Sequence, residues 1–268
     1  MAVNSGDAPL PVPLLVQLPP PGDAFKIFED VVGAGPGGAV WDAAVVLAQY
    51  VHSLGDALRG AAVVELGAGA GLPGLVAARH GADVVLTDRT RALPLLRRNA
   101  AANGLTSVSV LELEWGPAVR VLECVACRPA ASKWGLGACS LVTRRAPHSE
   151  KRFALVLAAD VVCHEESFEP LLFTLQALAG MPGERCLSHE RAHADCSPRR
   201  APAGGAEVLL CNKCRDVAEH AFWRAAAEHF HIEILQEGMP AAPRDGDDLP
   251  VLLYRLWAKN VQGTTQRC

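Results

Sequence analysis

Val63-Val64-Glu65-Leu66-Gly67-Ala68-Gly69-Ala70-Gly71-Leu72-Pro73-Gly74 passes from an apolar run into glycine and then resumes as apolar. Residues 61–66 are short, apolar and partly β-branched, the pattern of a buried strand, and residues 72–80 have helical composition. Between them Gly67, Gly69 and Gly71 permit a tight turn and close approach by a ligand. A strand, a glycine turn and a helix N-terminus make a nucleotide-binding element, because backbone N–H groups and the helix dipole face whatever sits above the turn.

The next apolar segment, residues 83–87, reads as a second strand and delivers Asp88 to its carboxyl end, twenty-one positions after Gly67. An acid there is placed to accept hydrogen bonds from ribose hydroxyls. The glycine spacing is G-x-G-x-G, and Leu72 stands where a dinucleotide fingerprint has its third glycine. That departure argues against a nicotinamide oxidoreductase and for a nucleoside cofactor without a pyrophosphate.

Further blocks follow in order: Thr87-Asp88-Arg89, Glu114-Trp115-Gly116 and Ala158-Ala159-Asp160-Val161-Val162. With Glu65 to Gly69 and Leu72-Pro73-Gly74, the chain from about Phe25 to Trp257 resembles the seven-strand S-adenosylmethionine-dependent methyltransferases. More narrowly it is similar to the methyltransferase-like protein-lysine methyltransferases. The resemblance implies an α/β fold: a Rossmann-like, seven-stranded, mostly parallel sheet with helices on both faces and the last strand antiparallel. It implies S-adenosylmethionine as cofactor and a protein substrate, with lysine N-methylation as the activity.

The resemblance also implies a site. Trp41, Glu65, Gly67, Ala68, Gly69, Asp88, Trp115 and Ala159 would bind the cofactor, and Asp160 would orient the acceptor. Plainer roles compete at three of these: core or rim packing for Trp41 and Trp115, and helix capping for Asp160. Lysine-specific members carry an aromatic three residues after the acid, where this chain has Cys163. A catalytically silent cofactor-binding protein of the same fold is therefore the alternative reading.

Composition limits the partners. The formal net charge is −4 and the pI about 6.1, so no overall basic field suggests nucleic acid. No stretch approaches the roughly 18 continuous apolar residues of a membrane span, and a cytoplasmic protein, with the nucleus as a second location, is expected. Oligomeric state has no signature here. Nine cysteines include the pairs Cys124/Cys127 and Cys211/Cys214, too far apart in sequence for a zinc ribbon. The acids of His164-Glu165-Glu166 read as helix-start charges, and no metal site is expected.

In chain order, residues 1–22 read as a loose proline-rich arm, 23–258 as the methyltransferase domain and 259–268 as a loose tail. Insertions are expected at about 116–152 and 181–206. Residues 25–30 alternate as an edge strand, 33–38 read as a loop and 40–51 as an amphipathic helix. A helix is expected over 90–103, closed by Asn103-Gly104, and a strand over 108–113. Residues 153–159 form the next strand, Ser167 a helix N-cap, 207–212 a strand, 216–229 a helix, and 232–235 and 250–257 the last two strands.

Overall fold

The computed structural model describes residues 12–19, 24–120, 153–180, 205–215, 218–238 and 249–259. Two antiparallel strands, β1 (Leu14–Gln17) and β2 (Ala24–Ile27), precede a one-turn helix α1 (Val31–Ala34) and a 3-10 turn at Gly35–Gly38. Then come α2 (Asp42–Leu54), β3 (Ala62–Leu66), α3 (Leu72–Arg79), β4 (Asp83–Asp88), α4 (Leu93–Ala102) and β5 (Ser109–Glu112). The remainder is β6 (Leu155–Ala159), α5 (Phe168–Ala179), β7 (Glu207–Lys213), α6 (Glu219–His229), β8 (Phe230–Gly238) and β9 (Val251–Ala258).

Seven strands form one sheet in the order β5-β4-β3-β6-β7-β9-β8. β3 pairs in parallel with β4 and β6, while β9 runs antiparallel to both β7 and β8, as expected for the last strand. The central strands are nearly continuous apolar runs because both of their faces are covered. Alternate residues serve opposite cores. Val63, Leu86, Leu155, Leu157 and Leu209 pack with side chains of α2, α3 and α4; Val64, Leu66, Val156, Val208 and Leu210 pack with those of α5 and α6. The β1–β2 ribbon covers the first face through Val16, Leu18, Phe25 and Ile27.

Four expectations are corrected. Part of the N-terminal arm is ordered: Leu14–Gln17 is a strand, because Val16 and Leu18 find apolar cover. The expected loop at 33–38 is wound into α1 and the 3-10 turn, with Asp30 capping through Gly33 N–H (2.7 Å). The first insertion starts later than residue 116, since Pro117–Arg120 is a 3-10 turn that buries Val119. Ser167 makes no side-chain cap, because a 3-10 turn at Glu165–Ser167 already places it in helical backbone geometry. Cys124, Cys127, most of both insertions and the tail beyond Lys259 lie outside the described residues.

Two buried polar ties fasten the layers. On α4, Asn99 accepts from Phe28 N–H (2.8 Å) and donates to the carbonyls of Phe28 (3.1 Å) and Ala70 (2.9 Å), joining the ribbon to the glycine turn. At the start of α2, Asp42 Oδ2 lies 3.1 Å from Lys213 Nζ at the end of β7, and both side chains are fully buried. Removing one partner of such a pair leaves an uncompensated charge in the core. Lys213→Met is expected to destabilise the fold by about 3–5 kcal/mol in urea unfolding, and Asp42→Asn added to it should recover part of that loss.

Candidate active site

The chain proceeds from β3 outward to β4 and β5, then crosses to β6 on the other side of β3. Open α/β sheets hold ligands at such a reversal, in the crevice beyond the carboxyl ends of the strands. Here the two ends are Gly67, following β3, and Asp160, following β6. A cavity of about 810 Å³ opens there, within the range of small-molecule sites. All nine residues expected from the sequence line it: Trp41, Glu65, Gly67, Ala68, Gly69, Asp88, Trp115, Ala159 and Asp160.

The glycine turn is built by close packing. Gly67 and Gly69 have φ of 58° and 54°, a left-handed backbone that costs other residues roughly 1–2 kcal/mol. A Cβ on Gly69 would stand 2.4 Å from the Gly37 carbonyl oxygen, and one on Gly67 would stand 3.1 Å from the Trp115 ring. The Gly69 N–H is fixed by Asp88 Oδ2 at 2.8 Å, while Asp88 Oδ1 accepts from Arg89 N–H at 2.7 Å. Each oxygen has a second lone pair, so Asp88 both shapes the turn and can receive ribose hydroxyls.

The N-terminus of α3 is less open than its sequence suggests. Pro73 has no N–H, and that of Gly74 is bound by Glu65 Oε2 at 2.8 Å. Glu65 is buried, and loss of hydration pushes its carboxyl up to about 8; the Gly74 hydrogen bond works against that and nearby Asp88 adds to it. A helix start closed in this way does not offer the anion cradle that a pyrophosphate uses. Leu72, 1% exposed, fills the position of the missing third glycine.

Two aromatic walls face the cavity. Trp41 donates its indole N–H to the Pro36 carbonyl (3.0 Å), which ties the wall to the 3-10 turn that carries Gly37. Trp115 is half-buried against the side of the sheet that carries α5. At the far end, Asp160 is the one non-glycine with positive φ among the described residues, at 56°. Its N–H donates to the Cys211 carbonyl (2.8 Å), and its Oδ1 accepts from Lys213 N–H (3.3 Å) and pairs with Arg215 Nη1 (2.7 Å). Cys163 is exposed on the cavity wall, where partial desolvation and Asp160 push its thiol up while Arg215 opposes them.

Gly37 and Arg215 escape a reading of the sequence. Gly37 belongs to a stretch without periodicity, and Arg215 follows a strand end with nothing to mark it. Only the folded chain brings either to the site.

A family model described as "Lysine methyltransferase" matches residues 21–125. The mouse EEF1A lysine methyltransferase 3 is 33% identical over 221 residues, covering 82% of this chain and 72% of that protein. The chain belongs to the lysine methyltransferase family. Protein N-lysine methyltransferase METTL21A of Xenopus tropicalis is 34% identical over 168 residues, 61% of this chain and 65% of that protein. The chain spans between 59% and 65% of the length of the METTL21A relatives it matches. Among solved structures, the T. thermophilus 16S rRNA methyltransferase RsmC, in complex with AdoMet and guanosine, has the same fold: TM-score 0.52 at 17% identity, covering 94% of this chain and 52% of that one.

Two measurements check the geometry of this site. Gly69→Ala should weaken binding of S-adenosylhomocysteine at least tenfold by calorimetry, because the Gly37 carbonyl is backbone and cannot give way. Glu65 has its folded pKa raised above the unfolded value, so its contribution is present below pH ~4.5 and lost as pH rises toward about 8. The stability of Glu65→Gln relative to the wild type should therefore increase between those limits, by on the order of a few kcal/mol, in melts taken across that range.

Proposed function

We propose that this chain uses S-adenosylmethionine to methylate a lysine side chain of a protein substrate. One observation supports the reading: the glycine turn with Asp88, fit for a nucleoside, and Asp160 beyond β6, fit for an acceptor, line the same cavity. The residues fit the cofactor. Asp88 offers carboxylate lone pairs to a ribose, the bare Gly67 and Gly69 leave room for the methionyl part, and Trp41, Trp115 and Ala159 wall the cavity. The closed start of α3 suits a nucleoside without a pyrophosphate and disfavours a dinucleotide.

When bound, the cofactor supplies a methyl group on an electrophilic sulfonium, whose carbon–sulfur bond breaks as the acceptor nitrogen bonds to carbon. The chain's own residues then need to position and enclose the acceptor and favour its neutral form. Holding two reacting atoms in line can contribute roughly 7–11 kcal/mol to the lowering of a barrier. A lysine ε-amine, with a reference pKa of about 10.4, must lose a proton before it has a lone pair to use. Enclosure by Trp41, Trp115 and Val161 favours the neutral amine, and Asp160 can accept a hydrogen bond from it to fix its direction.

The mouse relative is named for EEF1A, which makes purified EEF1A the first acceptor to try. Wild-type protein is expected to bind S-adenosylmethionine and S-adenosylhomocysteine with micromolar affinity and to transfer tritium from labelled cofactor to protein. Asp88→Ala should reduce cofactor binding more than tenfold, since it also frees the Gly69 N–H. Asp160→Ala should bind cofactor within about threefold of wild type and lose roughly a hundredfold in transfer rate. Equal loss of binding in both variants would overturn this division of roles, and binding without any labelling would mark a silent cofactor-binding protein.

A further inference from the structure

The acceptor end of the cavity holds a cation of its own. Arg215, just beyond β7, places Nη1 2.7 Å from Asp160 Oδ1 and its guanidinium carbon 5.5 Å from the centre of the Trp41 ring. The pair sits at the boundary with water: the Asp160 side chain is 6% exposed and that of Arg215 30%. Every element around it contributes a charged or titratable group. Glu219 at the start of α6 accepts from Arg215 N–H (2.9 Å), Cys163, His164 and Glu166 line the cavity from the segment before α5, and Lys213 gives its N–H to Asp160 while its ammonium pairs with Asp42.

An unpaired carboxylate at this position would work against methyl transfer. Opposite charge favours the protonated form of an amine, so Asp160 alone would hold an entering lysine as an ammonium ion, which has no lone pair. A guanidinium remains charged at any pH the protein meets and binds a carboxylate strongly. Its place on the face of Trp41 adds a cation–π attraction that holds it beside the cavity.

Resting on the lysine methyltransferase reading above, we infer that Arg215 is a positioning residue for the acceptor: by pairing with Asp160 and lying over Trp41, it prevents the carboxylate from trapping the incoming amine as an ammonium. The proton leaves the amine for bulk water at the cavity mouth, and the neutral nitrogen keeps its lone pair for the methyl group. Asp160, half satisfied by Arg215 and Lys213 N–H, still accepts a hydrogen bond from one remaining N–H of the amine.

The test uses full-length wild type, Arg215→Met, which keeps an apolar stem without charge, and Arg215→Lys, which keeps the charge. Both variants should bind S-adenosylhomocysteine within about threefold of wild type by calorimetry; loss of binding would assign Arg215 to the cofactor half and overturn the inference. Alkylation of Cys163 by iodoacetamide at pH 8, resolved by mass spectrometry, reads the field at the mouth without any acceptor. Arg215→Met should slow it roughly threefold or more, because the thiolate loses a neighbouring cation, and Arg215→Lys should restore it. An unchanged rate in Arg215→Met would overturn the inference. In tritium transfer to EEF1A, Arg215→Met should lower KM, lower kcat about tenfold at pH 7.5 and move the rising limb of the pH profile toward alkaline pH, with rescue by Arg215→Lys. A fall in kcat with an unmoved limb would show a merely structural residue and overturn this inference alone. Absence of labelling by wild type in EEF1A and in cell extract would overturn the lysine methyltransferase reading, and this inference with it.

Discussion

The hydrogen bond from Gly69 N–H to Asp88 holds the site together. It joins the turn after β3 to the end of β4, and the bare Cα of Gly69 lets the Gly37 carbonyl approach the same point. Three segments distant in sequence meet at that point. The 3-10 turn at Gly35–Gly38 brings Trp41 with it through the Pro36 carbonyl, and Asn99 on α4 ties down the glycine turn through the Ala70 carbonyl. This end of the cavity is thus built from close contacts in which the side chains of Asp88, Trp41 and Asn99 each hold a backbone group.

The end of the cavity at Asp160 is organised by charge instead. Asp160 stands in a left-handed backbone conformation, rare for a residue with a side chain, and three contacts from β7 and its exit hold it there. Behind them the buried Asp42–Lys213 pair fastens the end of β7 to the start of α2, the helix that follows Trp41 directly. The segment that follows Trp41 and the strand that holds Asp160 are therefore joined through a fully buried pair of ions.

Much of the architecture was legible because the physics was local. The β3, β4, β6 and β7 strands are apolar runs that no other environment would suit, and α2 carries its apolar stripe at helical spacing. The glycine turn announced itself by composition, and Asp88 by its distance from that turn. What failed to show were elements whose stability comes from elsewhere. Val31–Ala34 and Gly35–Gly38 are too short and too glycine-rich to have periodicity; Asp30 caps the first, whose Ala34 packs with Leu95 of α4, and Gly37 of the second meets Gly69. Leu14–Gln17 became a strand because Phe25 and its neighbours were there to pair with it.

By itself the sequence determined the main strands and helices of the sheet and the glycine turn with Asp88 beyond it, because these follow from local pattern and spacing; the other residues that line the cavity were expected from the family resemblance. Tertiary structure alone decided that the Gly74 N–H at the start of α3 is bound by Glu65, that the Gly37 carbonyl lies against Gly69, and that Asp160 is paired with Arg215. The reason is separation along the chain. Asp160 and Arg215 stand 55 positions apart, and Asp42 and Lys213 stand 171 apart. Charges that far apart carry no mutual trace in a single sequence until the sheet brings their strand ends together.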